Sequence, residues 1–182
     1  FVTNYGQPVL YRNNGDGTFT DVTREAGLEN DLWGIGCTFL DYDNDGYLDL
    51  YVGHYLQYDP SYKYYYAADA FPGPLAYQGQ PDTLYRNRGD GTFEDVTQKA
   101  GVYNPEGRAM GVSSCDFDND GDMDIFVAND AMENYMYQNN GDGTFTNIAL
   151  LAGTAFSQNG EATSAMGPKF GDFNSDGWID LL

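Results

Sequence analysis

Two sequence elements alternate strictly along this chain, and this alternation constrains the fold more than any other feature. The first element contains Gly-Asp-Gly-Thr-Phe and occurs at residues 10–23, 84–97 and 136–149. The second is an acidic loop that occurs at residues 41–49, 116–124 and 172–180. The acidic loops begin 75 and 56 residues apart, and the difference arises from a longer segment of roughly His54 to Thr83. Repeats of this size, built from strand-forming residues, are typical of β-propeller blades.

Each repeat divides into four runs with the composition of strands. Strand A precedes the acidic loop and is rich in small residues, which suits the crowded axis of a propeller, so we place it innermost. Strand B follows the loop, and strands C and D flank the Gly-Asp-Gly turn, where glycine permits the positive φ of a hairpin. The predicted runs are 34–40 and 111–115 for A, 48–52 and 123–127 for B, 83–86 for C and 92–96 for D.

The antiparallel order of these strands predicts which loops share a face. The acidic A–B loops and the C–D hairpins are expected on one face, and the long B–C segment 54–83 on the other. The predicted fold is all-β: a partial β-propeller over residues 1–182, with repeat units 1–50, 51–125 and 126–182. Because Phe1–Asn4 resembles Phe126–Asn129, we expect about three four-stranded blades cut mid-blade at both ends, the remaining blades belonging to a longer chain.

The acidic loops follow the pattern Asp-x-Asp/Asn-x-Asp-Gly-x-x-Asp, which predicts calcium binding. Calcium takes six to eight hard oxygen ligands. Side chains at positions 1, 3, 5 and 9 and the carbonyl group at position 7 are expected to surround the ion. The predicted ligands are Asp41, Asp43, Asp45, Tyr47 and Asp49; Asp116, Asp118, Asp120, Asp122 and Asp124; and Asp172, Asn174, Asp176, Trp178 and Asp180.

Other metal sites fit this pattern less well. An EF-hand needs a bidentate Glu at position 12, but Val52 and Val127 stand there. Magnesium seldom uses an all-protein cage, and zinc and copper prefer His or Cys. The remaining alternative is that the loops are acidic turns that bind no ion. The occurrence of the same pattern at the same place in three repeats disfavours this alternative. The third site has Asn174 in place of an acid, so we expect it to bind calcium most weakly.

Composition excludes several partners. The chain carries 28 acidic and 8 basic residues, for a net charge of −20, which repels nucleic acids and anionic membranes. No apolar run approaches the length of a membrane span. His54 is the single histidine and is expected to be structural. Cys37 and Cys115 are expected to be buried free thiols.

The repeated motifs resemble FG-GAP/VCBS repeats, the blades of the integrin α-subunit propeller. The sequence Leu-Tyr-Arg-Asn-x-Gly-Asp-Gly-Thr-Phe-x-Asp-Val-Thr, the Ala-Gly pairs and the tracts 71–85 and 150–167 are most similar to the cartilage acidic protein-like family, whose bacterial members carry an ASPIC/UnbV domain. The resemblance implies about seven blades, calcium in the A–B loops and an exported protein, but no known reaction. Family members often have cysteines in the segment that matches 54–83, and this chain has none there.

Three functions remain open from the sequence. The first is an extracellular, cell-surface or periplasmic scaffold that binds protein or polysaccharide without catalysis. The motivating feature is the segment 54–83, whose tyrosines could form a binding platform or pack against one another. The second is an accessory or catalytic propeller of a calcium-dependent polysaccharide lyase or other hydrolase, although no nucleophile elbow or His-containing triad is present. The third is a subunit of a larger cell-envelope complex.

Overall fold

The computed structural model describes residues 1–62 and 72–182, and they form successive antiparallel sheets. The first is a hairpin of β1 (Tyr11–Asn13) and β2 (Phe19–Asp21), followed by a single helical turn, α1 (Thr23–Ala26). The Gly-Asp-Gly sequence forms the turn of this hairpin. Asp16 Oδ1 accepts hydrogen bonds from the backbone N–H and the hydroxyl of Thr18, which closes the turn locally.

The second sheet is a complete four-stranded blade. Its strands are β3 (Gly34–Leu40), β4 (Asp49–His54), β5 (Thr83–Asn87) and β6 (Phe93–Asp95), in that spatial order and all antiparallel. All six residues of β4 are buried, because neighbouring blades cover both faces of this strand. A short 3-10 helix, Pro74–Ala76, lies in the connection between β4 and β5.

The third sheet repeats this blade. Its strands are β7 (Ala109–Cys115), β8 (Asp124–Met132), β9 (Tyr135–Asn139) and β10 (Phe145–Asn147), followed by the helical turn α2 (Ala149–Ala152). β8 runs longer than its counterpart β4 and also pairs with β11 (Thr163–Ser164). The last sheet is the pair β12 (Phe170–Gly171) and β13 (Asp180–Leu181). β1–β2 correspond to the C–D half of a blade and β12–β13 to the A–B half.

The innermost strands pack closely from blade to blade. A Cβ atom added to Gly36 on β3 would lie 3.0 Å from the backbone nitrogen of Val112 on β7. A Cβ atom added to Gly111 would lie 2.7 Å from the backbone nitrogen of Gly167. Between β3 and β7, the hydroxyl groups of Thr38 and Ser114 are 2.8 Å apart and hydrogen-bonded. The small residues that predicted the inner position therefore let the backbones of successive blades approach.

The main hydrophobic core lies between the two complete blades. Tyr51 and Leu84 from the first blade pack with Ile125 and Val127 from the second, and all four side chains are fully buried. Val102, in the connection between the blades, is fully buried in the same cluster. Apolar burial between consecutive sheets, at about 25 cal/mol per Å² of apolar area, is the main attraction that stacks the blades.

The structure confirms the all-β class and the four-strand order, with shifts at the ends of strands. β3 has the predicted bounds of strand A, whereas β7, β4 and β8 extend beyond the predicted runs. The pairing of β11 with β8 was not predicted, because a two-residue strand leaves no alternation pattern in the sequence. Part of the long segment, residues 63–71, lies outside the described residues, including Tyr64, Tyr65 and Tyr66.

Both cysteines are free, but they are half-buried rather than buried as predicted. Cys37 packs at the edge of a cluster with Leu28 and Val52. Burial, followed by the nearby charge of Asp124, raises the pKa of Cys115 to about 12. The Cys115 thiol is therefore protonated at neutral pH and a poor nucleophile.

His54 has a structural environment, as expected. It is 1% exposed, and its Nδ1 atom lies 2.9 Å from the carbonyl oxygen of Pro81. Its backbone N–H donates to Asp82, which is also buried and accepts further hydrogen bonds from Tyr51 and Asn104. Burial lowers the pKa of His54 to about 4 and raises that of Asp82 to about 6.

Candidate metal centres

The first acidic loop is held in shape by hydrogen bonds from its own backbone. Asp41, at position 1, accepts the N–H of Asp45 at 3.1 Å and the N–H of Gly46 at 3.0 Å. Asp45 in turn accepts the N–H of Tyr47 at 2.9 Å. These contacts curl the chain so that Asp41 and Asp43 come close to Asp49, whereas Asp45 lies outside this cluster.

The other two loops adopt the same conformation. The residue at position 4 has a positive φ in each loop: 55° at Asn44, 61° at Asn119 and 62° at Ser175. Asp116 and Asp172 each accept the same pair of backbone N–H groups as Asp41, at 2.9–3.1 Å. All three loops thus share one backbone conformation, in which a left-handed residue at position 4 is followed by glycine at position 6. The spacing of Asp and Gly in the sequence encodes this conformation.

The aspartate at position 9 fastens each complete loop to its sheet. Asp49 is fully buried, and its two oxygens accept the N–H of Tyr42 at 3.1 Å and of Asn87 at 2.7 Å. Asp124 makes the corresponding contacts with Phe117 and Asn139. Burial raises the pKa of both Asp49 and Asp124 to about 6, against the lowering effect of these hydrogen bonds.

Carboxylate oxygens come together in the first two loops. One oxygen each from Asp41, Asp43 and Asp49 lies within 4.8 Å of the others, and so does one each from Asp116, Asp118 and Asp120. Asp43 Oδ1 and Asp118 Oδ1 are buried, and neither has a hydrogen-bond partner among the described residues. Both oxygens belong to the residue at position 3 of the loop, whose side chain is a predicted calcium ligand. Hard oxygen donors left unpartnered in a cluster of like charges fit a calcium ion.

A side chain from strand C reaches into each complete loop. Arg86 Nε lies 2.6 Å from Asp43 Oδ2, and its Nη2 lies 2.9 Å from Asp45 Oδ2. At the same place in the next blade, Gln138 Nε2 donates to Asp118 Oδ2 at 2.6 Å. The sequence did not indicate that Arg86 pairs with two predicted ligands, because they lie 43 and 41 residues away from it in the chain.

The third loop differs from the other two in its surroundings. Residues 172–178 are exposed, and no oxygen cluster comparable to the first two is found there among the described residues. Asn174 Oδ1 accepts the N–H of Asp176, and Asn174 Nδ2 donates to Asp176 Oδ2, both at 2.9 Å. The amide is thus hydrogen-bonded within the loop at both its ends.

The position 7 side chains do not point into the clusters. Tyr47 is 50% exposed and Trp178 is 61% exposed, so their side chains face solvent. Asp122 is directed to the neighbouring blade, where its Oδ1 accepts a hydrogen bond from Asn44 Nδ2 at 2.6 Å. The carbonyl groups at this position remain the predicted ligands.

Asparagine at the end of strand C was missed as a functional position. Asn87 Nδ2 donates to the carbonyl oxygen of Leu48 at 3.0 Å, within its own blade. Asn139 Nδ2 donates to that of Met123, the corresponding residue, and also to that of Tyr42 across the blade interface. The signal was available, since the three copies of Leu/Met-Tyr-Arg/Gln-Asn all end in Asn.

The opposite face carries an aromatic groove of about 540 Å³, lined by Tyr5, Trp33, Tyr58 and Tyr103 together with glutamine side chains. The Trp33 ring meets Tyr5 and Tyr55 edge-on, with centroids 5.1 and 5.2 Å apart. Tyr5 is 66% exposed and Tyr103 is 50% exposed. Within the described part of segment 54–83, Tyr77 packs against Tyr58 and Tyr62, with centroids 5.5 and 5.6 Å away. The groove extends from Tyr58 onto neighbouring loops.

The repeats decide the family. The sequence profile described as FG-GAP-like repeat matches residues 1–52, 75–127 and 116–182, which together are most of the chain. The chain belongs to the FG-GAP-like repeat family. Its sheets are the β-propeller blades that these repeats form, and the acidic loops described above are the A–B loops of the FG-GAP-like repeats.

The FG-GAP-like chain is similar to proteins named Cartilage acidic protein 1. It is 28% identical to the Xenopus tropicalis protein over 188 aligned residues, which cover 97% of this chain and 25% of the relative. It is 47% identical to the Homo sapiens protein over 49 residues, or 27% of this chain and 7% of the relative. The chain thus spans about a quarter or less of these relatives. Within the described part of the chain, no helix has the length and apolarity to cross a membrane.

Proposed function

We propose that this chain is a calcium-stapled part of an extracellular β-propeller, and that it acts as a non-catalytic scaffold that binds protein or polysaccharide. One observation carries the calcium assignment: two equivalent loops each present a buried, unpartnered oxygen at position 3, Asp43 Oδ1 and Asp118 Oδ1. An ion would relieve the repulsion among the clustered carboxylates and would stabilise the A–B loop by linkage. Three bound calcium ions would change the formal net charge from −20 to −14.

Calcium titration calorimetry and thermal unfolding with and without EGTA test this proposal. Calcium is expected to raise the melting temperature, and the double variant Asp43→Asn/Asp118→Asn is expected to lose most of this increase. The matched control is Glu25→Gln/Glu29→Gln, which removes two exposed acids outside the loops and should keep the increase. Equal melting temperatures in calcium and in EGTA would contradict the proposal.

The partner-binding part of the proposal concerns the face that carries residues 54–83. The groove there combines exposed aromatic rings with the amide groups of Gln57 and Gln78, a combination that suits a sugar ring or a peptide. Its described lining contains Asp31 and no basic residue, which disfavours anionic polymers.

A glycan array and a pull-down, both run in calcium, test this face. Tyr5→Ala/Tyr103→Ala should weaken binding of any partner found, whereas Tyr11→Ala, an exposed tyrosine on β1, should not. A partner whose binding is unaffected by the first pair would contradict the assignment of this face. A partner chain that covers a whole face would instead favour a subunit of a cell-envelope complex.

The structure gives little support to a lyase. A lyase needs a general base near calcium, but Tyr55 packs against Trp33 beside the aromatic groove and donates to Asp130 at 2.6 Å. Burial and the Asp130 carboxylate raise the pKa of Tyr55 well above its usual range, so its phenol stays protonated at neutral pH and cannot accept a proton from a substrate. Calcium-dependent turnover of a uronic-acid polymer would overturn the non-catalytic assignment.

A further inference from the structure

The third strand of each complete blade places one side chain against the carboxylate at position 3 of the acidic loop. In the first blade this side chain is Arg86, which bonds Asp43 and Asp45 at 2.6 and 2.9 Å. In the second blade it is Gln138, which bonds Asp118 alone, at 2.6 Å. The two positions are equivalent in sequence and in structure, but the side chains differ in charge.

In both blades the contact engages the same carboxylate oxygen. Asp43 and Asp118 each use Oδ2 to accept from strand C, and each keeps a buried Oδ1 without a partner. The strand residue thus fixes the rotation of the carboxylate and leaves the other oxygen to an ion. Arg86 and Gln138 therefore act as positioning residues for the candidate ligands.

The charge surrounding the two loops is unequal. The first loop has four aspartates opposed by Arg86, for a net charge of −3. The second also has four at its candidate side-chain ligand positions, and Gln138 contributes no charge, for a net −4. The carboxylate of its remaining aspartate, Asp122, is directed to Asn44 of the first loop and is not counted here. A divalent ion is repelled by a guanidinium group a few Å away, and an uncharged amide exerts no such repulsion.

We infer that the difference between Arg86 and Gln138 gives the two loops different calcium affinities, and that the second loop binds calcium more tightly than the first. Arg86 also serves the first loop as an internal cation, holding Asp43 and Asp45 together when no ion is bound. This inference rests on the proposed calcium binding. A unit charge about 6 Å from a divalent ion changes its affinity by about tenfold even at the dielectric constant of water.

Exchanging the two side chains tests the inference. Each loop is titrated with calcium chloride by calorimetry in a background in which the first aspartates of the other two loops are changed to Asn. Arg86→Gln should tighten binding to the first loop by about tenfold, and Gln138→Arg should weaken binding to the second by about as much. Arg86→Lys should keep the lower affinity, and Arg12→Gln, on the exposed strand β1, should change neither affinity.

Thermal unfolding in EGTA provides a readout that does not depend on calcium. Arg86→Gln should lower the melting temperature of the calcium-free protein, because the first loop loses its internal cation, and Gln138→Arg should raise it. Unchanged or reversed affinities in the exchanged variants, with calcium still bound, would overturn this inference alone. An absence of calcium binding at every loop of the unmodified protein would overturn both the inference and the proposed function.

Discussion

Asn139 joins the two complete blades through a hydrogen bond to the backbone of the first acidic loop: its Nδ2 donates to the carbonyl oxygen of Tyr42 at 2.8 Å. Asn139 is 3% exposed, and its Oδ1 accepts the N–H of Gly141 in the following hairpin. One side chain thus links the hairpin of one blade to the acidic loop of its neighbour. Fixing this loop from outside its own blade makes its geometry depend on blade stacking.

Asn139→Ala is therefore expected to lower the free energy of unfolding by about 1–3 kcal/mol, since it leaves the buried Tyr42 carbonyl without a donor. Urea denaturation in calcium measures the change. Asn140→Ala is the matched control, because Asn140 is exposed at the hairpin, and it should cost less than about 1 kcal/mol. Equal effects of the two substitutions would show that the contact between the blades contributes nothing measurable.

Gly111→Ala is expected to destabilise the stacking of the inner strands. The added Cβ atom would lie 2.5 Å from Pro168 Cδ and 2.7 Å from Gly167 N, so backbone must move, at a cost of about 1–3 kcal/mol. In Gly73→Ala the added atom has no neighbour within 4 Å among residues 1–62 and 72–182, and stability should change by less than about 1 kcal/mol. Thermal or urea unfolding of both variants measures the change in stability. A Gly111→Ala variant as stable as the unmodified protein would argue against a close approach of the inner-strand backbones.

The burial of His54 is expected to make the folded protein less stable in acid. The pKa of His54 is lowered to about 4 in the folded protein because burial penalises the imidazolium ion, whereas an unfolded histidine titrates near about 6.5. Between these values the unfolded chain binds the extra proton, so stability falls as pH falls from about 6.5 to 4, by up to about 3 kcal/mol. The free energy of unfolding of the protein minus that of His54→Gln should follow this slope in urea titrations. A pH-independent difference would contradict it.

Asp82 should contribute the opposite slope. Burial raises its pKa to about 6, so between about pH 4 and 6 the folded protein holds a proton that the unfolded chain has released. Its contribution to stability therefore declines as pH rises through this window. Asp82→Asn should remove that decline, leaving a steeper increase of stability with pH than in the unmodified protein. A shallower increase in the same urea titrations would show that Asp82 is ionised in the folded state.

Asn174→Asp is expected to tighten calcium binding at the third acidic loop by about tenfold, because it restores the carboxylate that the other two loops have at position 3. Calcium titrations in a background with the first two loops disabled would measure it. Asn159→Asp, an exposed substitution that adds the same charge outside the loops, is the control. The prediction fails if the two variants raise affinity equally.

The sequence by itself determined the elements that depend on near neighbours. The hairpin turns and the acidic loops are held by bonds between residues two to five apart, such as Asp16 to Thr18 and Asp41 to Gly46, so residue type and spacing encode them directly. The alternation of these two elements then fixed the strand order and the faces on which the loops lie.

Only the tertiary structure decided how the blades complete the acidic loops. Arg86 lies 43 residues from Asp43, and Asn139 lies 97 residues from Tyr42, and no local pattern states that these residues meet. Their contacts depend on how far each sheet twists and how closely the glycine-rich inner strands stack. The unpartnered oxygens of Asp43 and Asp118 have the same origin, because burial of an oxygen depends on packing around the loop as well as on its sequence.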